Sequence, residues 1–248
     1  MLKTIDIARV LFLDVECVSE YATYEELTDE FKYLWKLKCK SILKKYDEEI
    51  TDEEAATTYT DKAAIFAEFG KIICISVGFI SRDKDKSLKI RLKSYAEDDE
   101  KLLLENFCEL LHQYYKPHSH FVCGHNIKEF DIPYICRRLL VNQIPYPSIL
   151  EVQGKKPWET KQFIDTLVLW KYGDYKSYTS LKLLAAVLGF PSPKDDIDGS
   201  EVGRVYWKEN DLPRIAVYCE KDVLATAQLF LKFKFMPILT DEQVIHVE

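Results

Sequence analysis

The spacing of apolar and polar residues divides the chain into short β-type runs and longer helical stretches. Arg9 to Val15 (RVLFLDV) and Lys71 to Ile80 (KIICISVGFI) are compact apolar runs that read as core strands. The polar turn Ser81-Arg-Asp-Lys-Asp-Lys-Ser87 follows, after which Leu88, Ile90 and Leu92 alternate with polar residues as in a half-exposed strand. The second and third strands therefore form a hairpin. From Glu97 to Tyr115 the sequence opens with four acidic residues in five, then places Leu103, Phe107, Leu110, Leu111 and Tyr114 at helical spacing. His120 to Cys123 predicts a fourth strand, and Asp131-Ile-Pro133 predicts a helix reaching Val141 with Asp131 as its N-cap. Gln162 to Leu169 reads as a fifth strand or a helix start. The last predicted helices are Leu181 to Leu188 and Asp211 to Phe235.

Three strands closed by a hairpin, followed by strand-helix alternation, predict an α/β layout: a mixed five-stranded sheet flanked by helices. That order resembles the ribonuclease H-like fold. The segment from about Glu20 to Phe69 is helical and highly charged, with Phe31, Leu34, Trp35, Lys38 and Ile42 along it, and reads as an insertion after the first strand. A length of 248 residues with 47% hydrophobic positions suits one domain over 1–248 that carries this insert. Only 8 glycines and 9 prolines rule out collagenous and low-complexity chains. The longest apolar run, Ile72 to Ile80, is too short for a bilayer, and Met1 to Asp6 lacks the apolar stretch of a signal peptide. The expectation is a soluble cytoplasmic protein with no membrane partner. Seven dispersed cysteines without a Cys-x-x-Cys pair predict reduced, mostly buried thiols and no zinc ribbon.

The net charge of −7 argues, on average, against a polyanionic ligand. The average conceals a split. Between Glu20 and Asp61 there are 12 acidic and 6 basic residues, a local −6, whereas Phe121 to Lys182 holds 9 basic and 6 acidic residues, a local +3. The second region leaves a nucleic-acid partner open.

Three short constellations carry candidate chemistry. Asp14-Val-Glu16 ends the first strand, where alternation puts Val10, Phe12, Asp14 and Glu16 on one face. Tyr218 and Asp222, four apart on the final helix, share an otherwise apolar stripe with Ile215, Ala225 and Leu229, so Asp222 needs a cation or hydrogen-bond donors. Asn126-Ile-Lys-Glu-Phe130-Asp131 precedes a helix, which gives Asp131 a purely structural reading as a cap. Taken singly, each motif has such a bland explanation.

Together, and in this order, they resemble the three motifs of the DEDD superfamily of 3′-to-5′ exonucleases, and the Tyr-x-x-x-Asp form that of its tyrosine subgroup. Phe12-Leu-Asp14-Val-Glu16, Gly124-His-Asn126 through Phe130-Asp131-Ile-Pro133, Tyr178-Thr-Ser-Leu181-Lys-Leu and Tyr218-Cys-Glu-Lys-Asp222 are similar to the exonuclease domain of family B DNA polymerases and its stand-alone bacterial relatives. The 20–69 insert has no counterpart in that pattern.

The resemblance implies a pair of divalent cations, Mg²⁺ or Mn²⁺, for which carboxylate oxygens are suited ligands. On that basis Asp14 bridges both ions, Glu16 and Asp222 complete the first site, Asp131 supports the second, and Tyr218 orients the attacking water. Asn126 and Phe130 stand where the family holds the 3′-terminal nucleotides, although Phe130 equally suits a core position. Lys128, Lys155, Lys156, Lys171, Lys176 and Lys182 are candidates for following a phosphate backbone, or are simply solubilising. His125 has no second His or Cys spaced to make it a metal ligand, and Asp165 reads as a helix cap or a group supporting the acids from behind. The function implied is shortening of single-stranded nucleic acid, DNA in the first instance, from its 3′ end. No polymerase motif follows within the 248 residues, so proofreading would serve a polymerase or repair partner. The rival readings are an exoribonuclease and a binding or scaffolding module without turnover.

Overall fold

A computed structural model of the chain describes residues 2–84, 87–117, 119–174, 176, 178–192 and 196–247. Its centre is a six-stranded sheet in the order β5-β4-β1-β2-β3-β6. Strand β1 (Val10–Ser19) pairs antiparallel with β2 (Gly70–Arg82), which forms the expected hairpin with β3 (Leu88–Ala96). Asp85 and Lys86 of the intervening turn lie outside the described residues. On the other side, β4 (Phe121–Gly124) and β5 (Phe163–Asp165) run parallel to β1, which makes the sheet mixed.

Two differences from the sequence reading concern the sheet. The first strand runs on through its two acids to Ser19, because Cys17 and Val18 continue the apolar pattern beyond Glu16. A sixth strand, β6 (Val244–His246), joins β3 in parallel. Three residues carry too little alternation to announce a strand, and it is the free edge of β3 that selects them.

Helices cover both faces. Helices α3 (Glu100–Tyr114) and α4 (Asp131–Val141) pack Leu103, Phe107, Leu111, Ile135 and Leu139 against Leu11, Leu13 and Val15 of β1. On the opposite face α8 (Leu212–Phe233) lays Val223, Ala227 and Phe230 on Val10, Phe12, Ile80 and Leu92. The alternation of β1 between these two cores is what aims Asp14 and Glu16 toward α8. Gly78 permits the close approach: a Cβ there would stand 2.7 Å from Val223 Cγ1. Short helices α5 (Thr166–Lys171) and α6 (Leu181–Leu188) and a helical turn α7 (Val202–Arg204) fill the remaining flank. The ambiguous Gln162 to Leu169 stretch is both things it resembled, strand β5 followed directly by α5.

The 20–69 segment holds α1 (Asp29–Leu43) and α2 (Asp52–Lys62) around a small core of its own. Trp35 sits at its middle, donating Nε1–H to the Ala55 carbonyl at 2.9 Å with edge contacts to Tyr59 and Phe69. A Thr51–Glu54 capping box starts α2. Helix α4 grips this segment: Tyr134 Oη donates to Ala64 O and Arg138 Nη1 to Ala67 O, both at 2.9 Å. Arg138 also makes a forked bond to the buried Glu100 of α3, with Nη2–Oε2 at 2.6 Å, and reaches Glu20 at the end of β1. Among the described residues no helix is long and apolar enough to cross a membrane, and all seven cysteines are free.

Candidate active site

Strand β1 delivers Asp14 and Glu16 to the point where the sheet pairing breaks register. The shift between Glu16 and Cys17 against β2 is a bulge, a device that redirects side chains locally. Glu16 is 8% exposed, while Asp14 keeps more of its surface accessible. Helix α8 supplies the facing groups from the stripe Ile215, Tyr218, Asp222, Ala225 and Leu229, all buried. Tyr218 and Asp222 interact across one helical turn. Asp131 enters from the start of α4, 4% exposed.

Asp131 is the first residue of its helix, and not the N-cap that the sequence suggested. Phe130 occupies the cap position with no side-chain cap bond. The Asp131 carboxylate instead is influenced by the backbone of Asp131 itself and of Val15, between the two acids of β1. Four carboxylates and a phenol thus share one electrostatic environment. The Asp14 carboxyl is held well above its ordinary range, first by burial and then by the charges of Asp222, Glu16 and Asp131. Burial, followed in charge by Asp165 and Asp222, pushes Asp131 up to about 7. The Tyr218 hydroxyl is pushed far up by burial and by Glu16, Asp222 and Asp14, so it stays protonated and acts as a donor.

Such an arrangement is costly as it stands, because like charges are packed together in a region poor in water. The neighbours acting most on Asp14 are themselves anionic, and the donors are carboxylate oxygens, the hard ligands that Mg²⁺ and Mn²⁺ prefer. The residues therefore fit a divalent cation. Asp14, Glu16 and Cys219 form a group whose ligand atoms all lie within 4.8 Å of one another. Cys219 is the member that sequence reasoning passed over. Its position beside Tyr218 on α8, which put it a quarter-turn from the acidic stripe, was the available signal.

The loop from β4 to α4 is shaped by Asp165. This buried carboxylate caps α5 by accepting at Oδ1 from Leu167 N–H and Val168 N–H, and accepts from Asn126 N–H at Oδ1 and Lys128 N–H at Oδ2, each at 3.1 Å. The helix-cap reading holds, and its remaining bonds go to the backbone of the loop leading to Asp131. Asn126 takes a left-handed conformation there, φ +65°, which asparagine tolerates. His125 is structural. Its Nε2 donates to Thr179 O at 3.0 Å, Nδ1 meets Thr166 Oγ1 at 2.9 Å, and burial lowers its pKa. It thereby ties the 178–180 loop to the segment bearing Asn126.

Of the two expected nucleotide contacts, Phe130 is half-buried, tilted on the Tyr134 ring at 5.5 Å and packed at the margin of the core. Asn126 is also half-buried. Among the lysines, Lys155, Lys156, Lys176 and Lys182 are exposed, Lys156 over the Trp158 ring, while Lys128 and Lys171 are partly covered.

A mixed sheet with carboxylates gathered between its central strand and the last helix defines the class of ribonuclease H-like exonuclease folds. The chain belongs to the family described as predicted 3′-5′ exonucleases related to the exonuclease domain of PolB, which it matches over residues 65–246. The matched span includes Asp131, Tyr218 and Asp222; β1, with Asp14 and Glu16, precedes it. Among solved structures the fold is similar to that of the family B DNA polymerase from the hyperthermophilic archaeon Pyrobaculum calidifontis, with a TM-score of 0.51 and 16% identity over 92% of this chain. The chain spans about a quarter of that polymerase, 24% of its length. No curated protein matches the sequence.

Proposed function

We propose that this protein is a metal-dependent 3′-to-5′ exonuclease that hydrolyses the terminal phosphodiester bond of single-stranded nucleic acid, DNA in the first instance. The observation that carries this reading is the meeting of Asp14, Glu16, Asp131, Asp222 and Tyr218 from three distant segments in one electrostatic environment. Two divalent ions, held by Asp14, Glu16 and Asp222 and by Asp14 and Asp131, would neutralise charge on the attacking and leaving oxygens and make a water nucleophilic at neutral pH.

The protein's own groups have separate tasks in this scheme. Tyr218, kept protonated beside Asp222, would hold the attacking water by a hydrogen bond and position it; its raised pKa suits it poorly to act as a base. Glu16 flanks the same water. Asp165 and His125 keep Asn126 and Phe130 in place to hold the terminal nucleotides, and the exposed lysines offer contacts to phosphates further along the strand. Incubation with Mg²⁺ and a 5′-labelled oligonucleotide tests the scheme: a ladder of stepwise shortening from the 3′ end, abolished by a chelator, is expected. Matched DNA and RNA strands in the same assay separate the DNA reading from an exoribonuclease, and binding without any shortening would establish the silent module.

Replacing Tyr218 by Phe removes the hydroxyl and leaves the carboxylates. Hydrolysis should slow by about 10- to 100-fold while Mn²⁺ binding persists, since misplacement of the nucleophile is what is lost. Equal single-turnover rates for variant and parent would remove Tyr218 from the chemistry.

The raised carboxyl pKa values also link ions to pH. An acid whose folded pKa lies above its unfolded value favours the folded state when protonated, and that advantage is lost as pH rises, here from about 4 through about 7. Ions relieve the repulsion that then appears, and protons compete with them below it. The stabilisation of the fold by Mg²⁺ should therefore be larger at about pH 8 than at about pH 5.5. Melting curves at both pH values, with and without the ion, measure it; equal shifts would mean that these carboxylates are not the ligands.

A further inference from the structure

On the side of the sheet facing α8 lies a row of polar groups that the scheme above leaves unused. Asp14, Ser76 and Ser94 occupy matching positions on β1, β2 and β3, and α8 lays Cys219 and Glu220 over them. Two runs of contacts cover it, one from the surface to Cys74 and one from Cys219 to Asp14. His246 of β6 meets Glu220 Oε2 through Nδ1, and Ser94 Oγ donates to Glu220 Oε1 at 3.0 Å. Ser76 and Ser94 hydroxyls are 2.7 Å apart, and Cys74 Sγ is 3.6 Å from Ser76 Oγ. Cys219 Sγ lies 3.5 Å from both Oδ2 and the carbonyl oxygen of Asp14.

The number of hydrogens gives this chain a direction. Each hydroxyl and thiol has one hydrogen to donate. That of Ser94 goes to Glu220, so Ser76 donates to Ser94 and Cys74 to Ser76, which leaves the Cys74 sulfur as an acceptor only. The single hydrogen of Cys219 has two takers, both on Asp14: a carboxylate oxygen and the backbone carbonyl oxygen. The carboxylate is the stronger acceptor. Ser94, Ser76, Cys74 and Cys219 thus each give their one hydrogen to a single acceptor, and His246 Nδ1 meets Glu220 besides.

We propose that Cys219 is a positioning residue: its thiol, 3.5 Å from both Oδ2 and the carbonyl oxygen of Asp14, holds the Asp14 carboxylate in the orientation from which it serves the ions. This rests on the exonuclease reading of the site. It concerns no bond made or broken, and Cys219 acts only through Asp14, as groups that hydrogen-bond metal ligands commonly do.

The test measures Mn²⁺ binding to the full chain by calorimetry, alongside kcat and KM on an oligonucleotide. Cys219→Ala should raise the Mn²⁺ dissociation constant by about 10-fold and lower kcat with little change in KM, whereas Cys219→Ser, which keeps a donor, should restore binding to within about threefold. Cys74→Ala is the control for packing, since Cys74 is as deeply buried as Cys219 yet its hydrogen is committed elsewhere. Its Mn²⁺ affinity should match the parent. The proposal is overturned if Cys219→Ala binds Mn²⁺ like the parent, if Cys74→Ala weakens binding as much, or if Cys219→Ser is as impaired as Cys219→Ala while melting like the parent. A parent protein that binds no Mn²⁺ would overturn the site reading and this inference with it; a parent that binds and cleaves, with Cys219→Ala unchanged, would overturn this inference alone.

Discussion

Asp14→Ala should abolish stepwise shortening of a labelled oligonucleotide, with a loss of about 1,000-fold or more, equivalent to about 4 kcal/mol of transition-state stabilisation. The size follows from position. Asp14 is the acid on which the charges of Asp222, Glu16 and Asp131 all converge, so its removal takes away the group shared by both expected ion sites. The fold itself should not suffer: deleting one of several crowded like charges relieves repulsion, and the metal-free variant should melt at or above the parent temperature. Residual activity within tenfold of the parent would place the chemistry elsewhere in the molecule.

The largest expected effect on stability lies away from the chemistry, at Arg138. This guanidinium is 5% exposed and spends its donors on Glu100, Glu20 and the Ala67 carbonyl. Arg138→Met leaves the buried Glu100 carboxylate, among the described residues, with Ile72 N–H and the Asn142 amide as partners, at 2.7 and 2.8 Å. Removing one partner of a buried pair costs about 3–5 kcal/mol, which lowers the melting temperature of a chain of this size by roughly 10 °C. Replacing both partners, Arg138→Met with Glu100→Leu, should recover most of that loss, because no charge is then stranded. A single variant melting within about 2 °C of the parent would show that Glu100 is satisfied in another way.

The sequence made the sheet legible wherever side chains alternate or run apolar over several residues, as in β1 to β4, and made α8 legible through its 3.6-residue stripe. It misled where a carboxylate was asked to stand for a boundary. Asp14 and Glu16 looked like the end of β1 because acids ordinarily sit in water, yet the strand continues past them to Ser19. Asp131 looked like a cap for the same reason, whereas its side chain turns to Val15 and the other acids. The residues of the site were readable as three separate motifs; that they meet depends on crossovers between β1, α4 and α8 that no local pattern encodes. Partners such as Arg138 and Glu100, 38 residues apart, and the thiol contact of Cys219 with Asp14, 205 apart, belong to the same class of long-range fact.

One further consequence follows from how the 20–69 segment leaves and rejoins the sheet. Ser19 and Gly70 are directly paired across β1 and β2, and Glu20 N–H bonds to Phe69 O at 2.9 Å. Entrance and exit are thus neighbours on one ladder, so the segment can lengthen, shrink or be exchanged over evolutionary time without disturbing the register that aligns the carboxylates. Its struts to Tyr134 and Arg138 run to the helix that begins at Asp131. The appendage is thus tied both to the ladder that carries Asp14 and Glu16 and to the helix that carries Asp131.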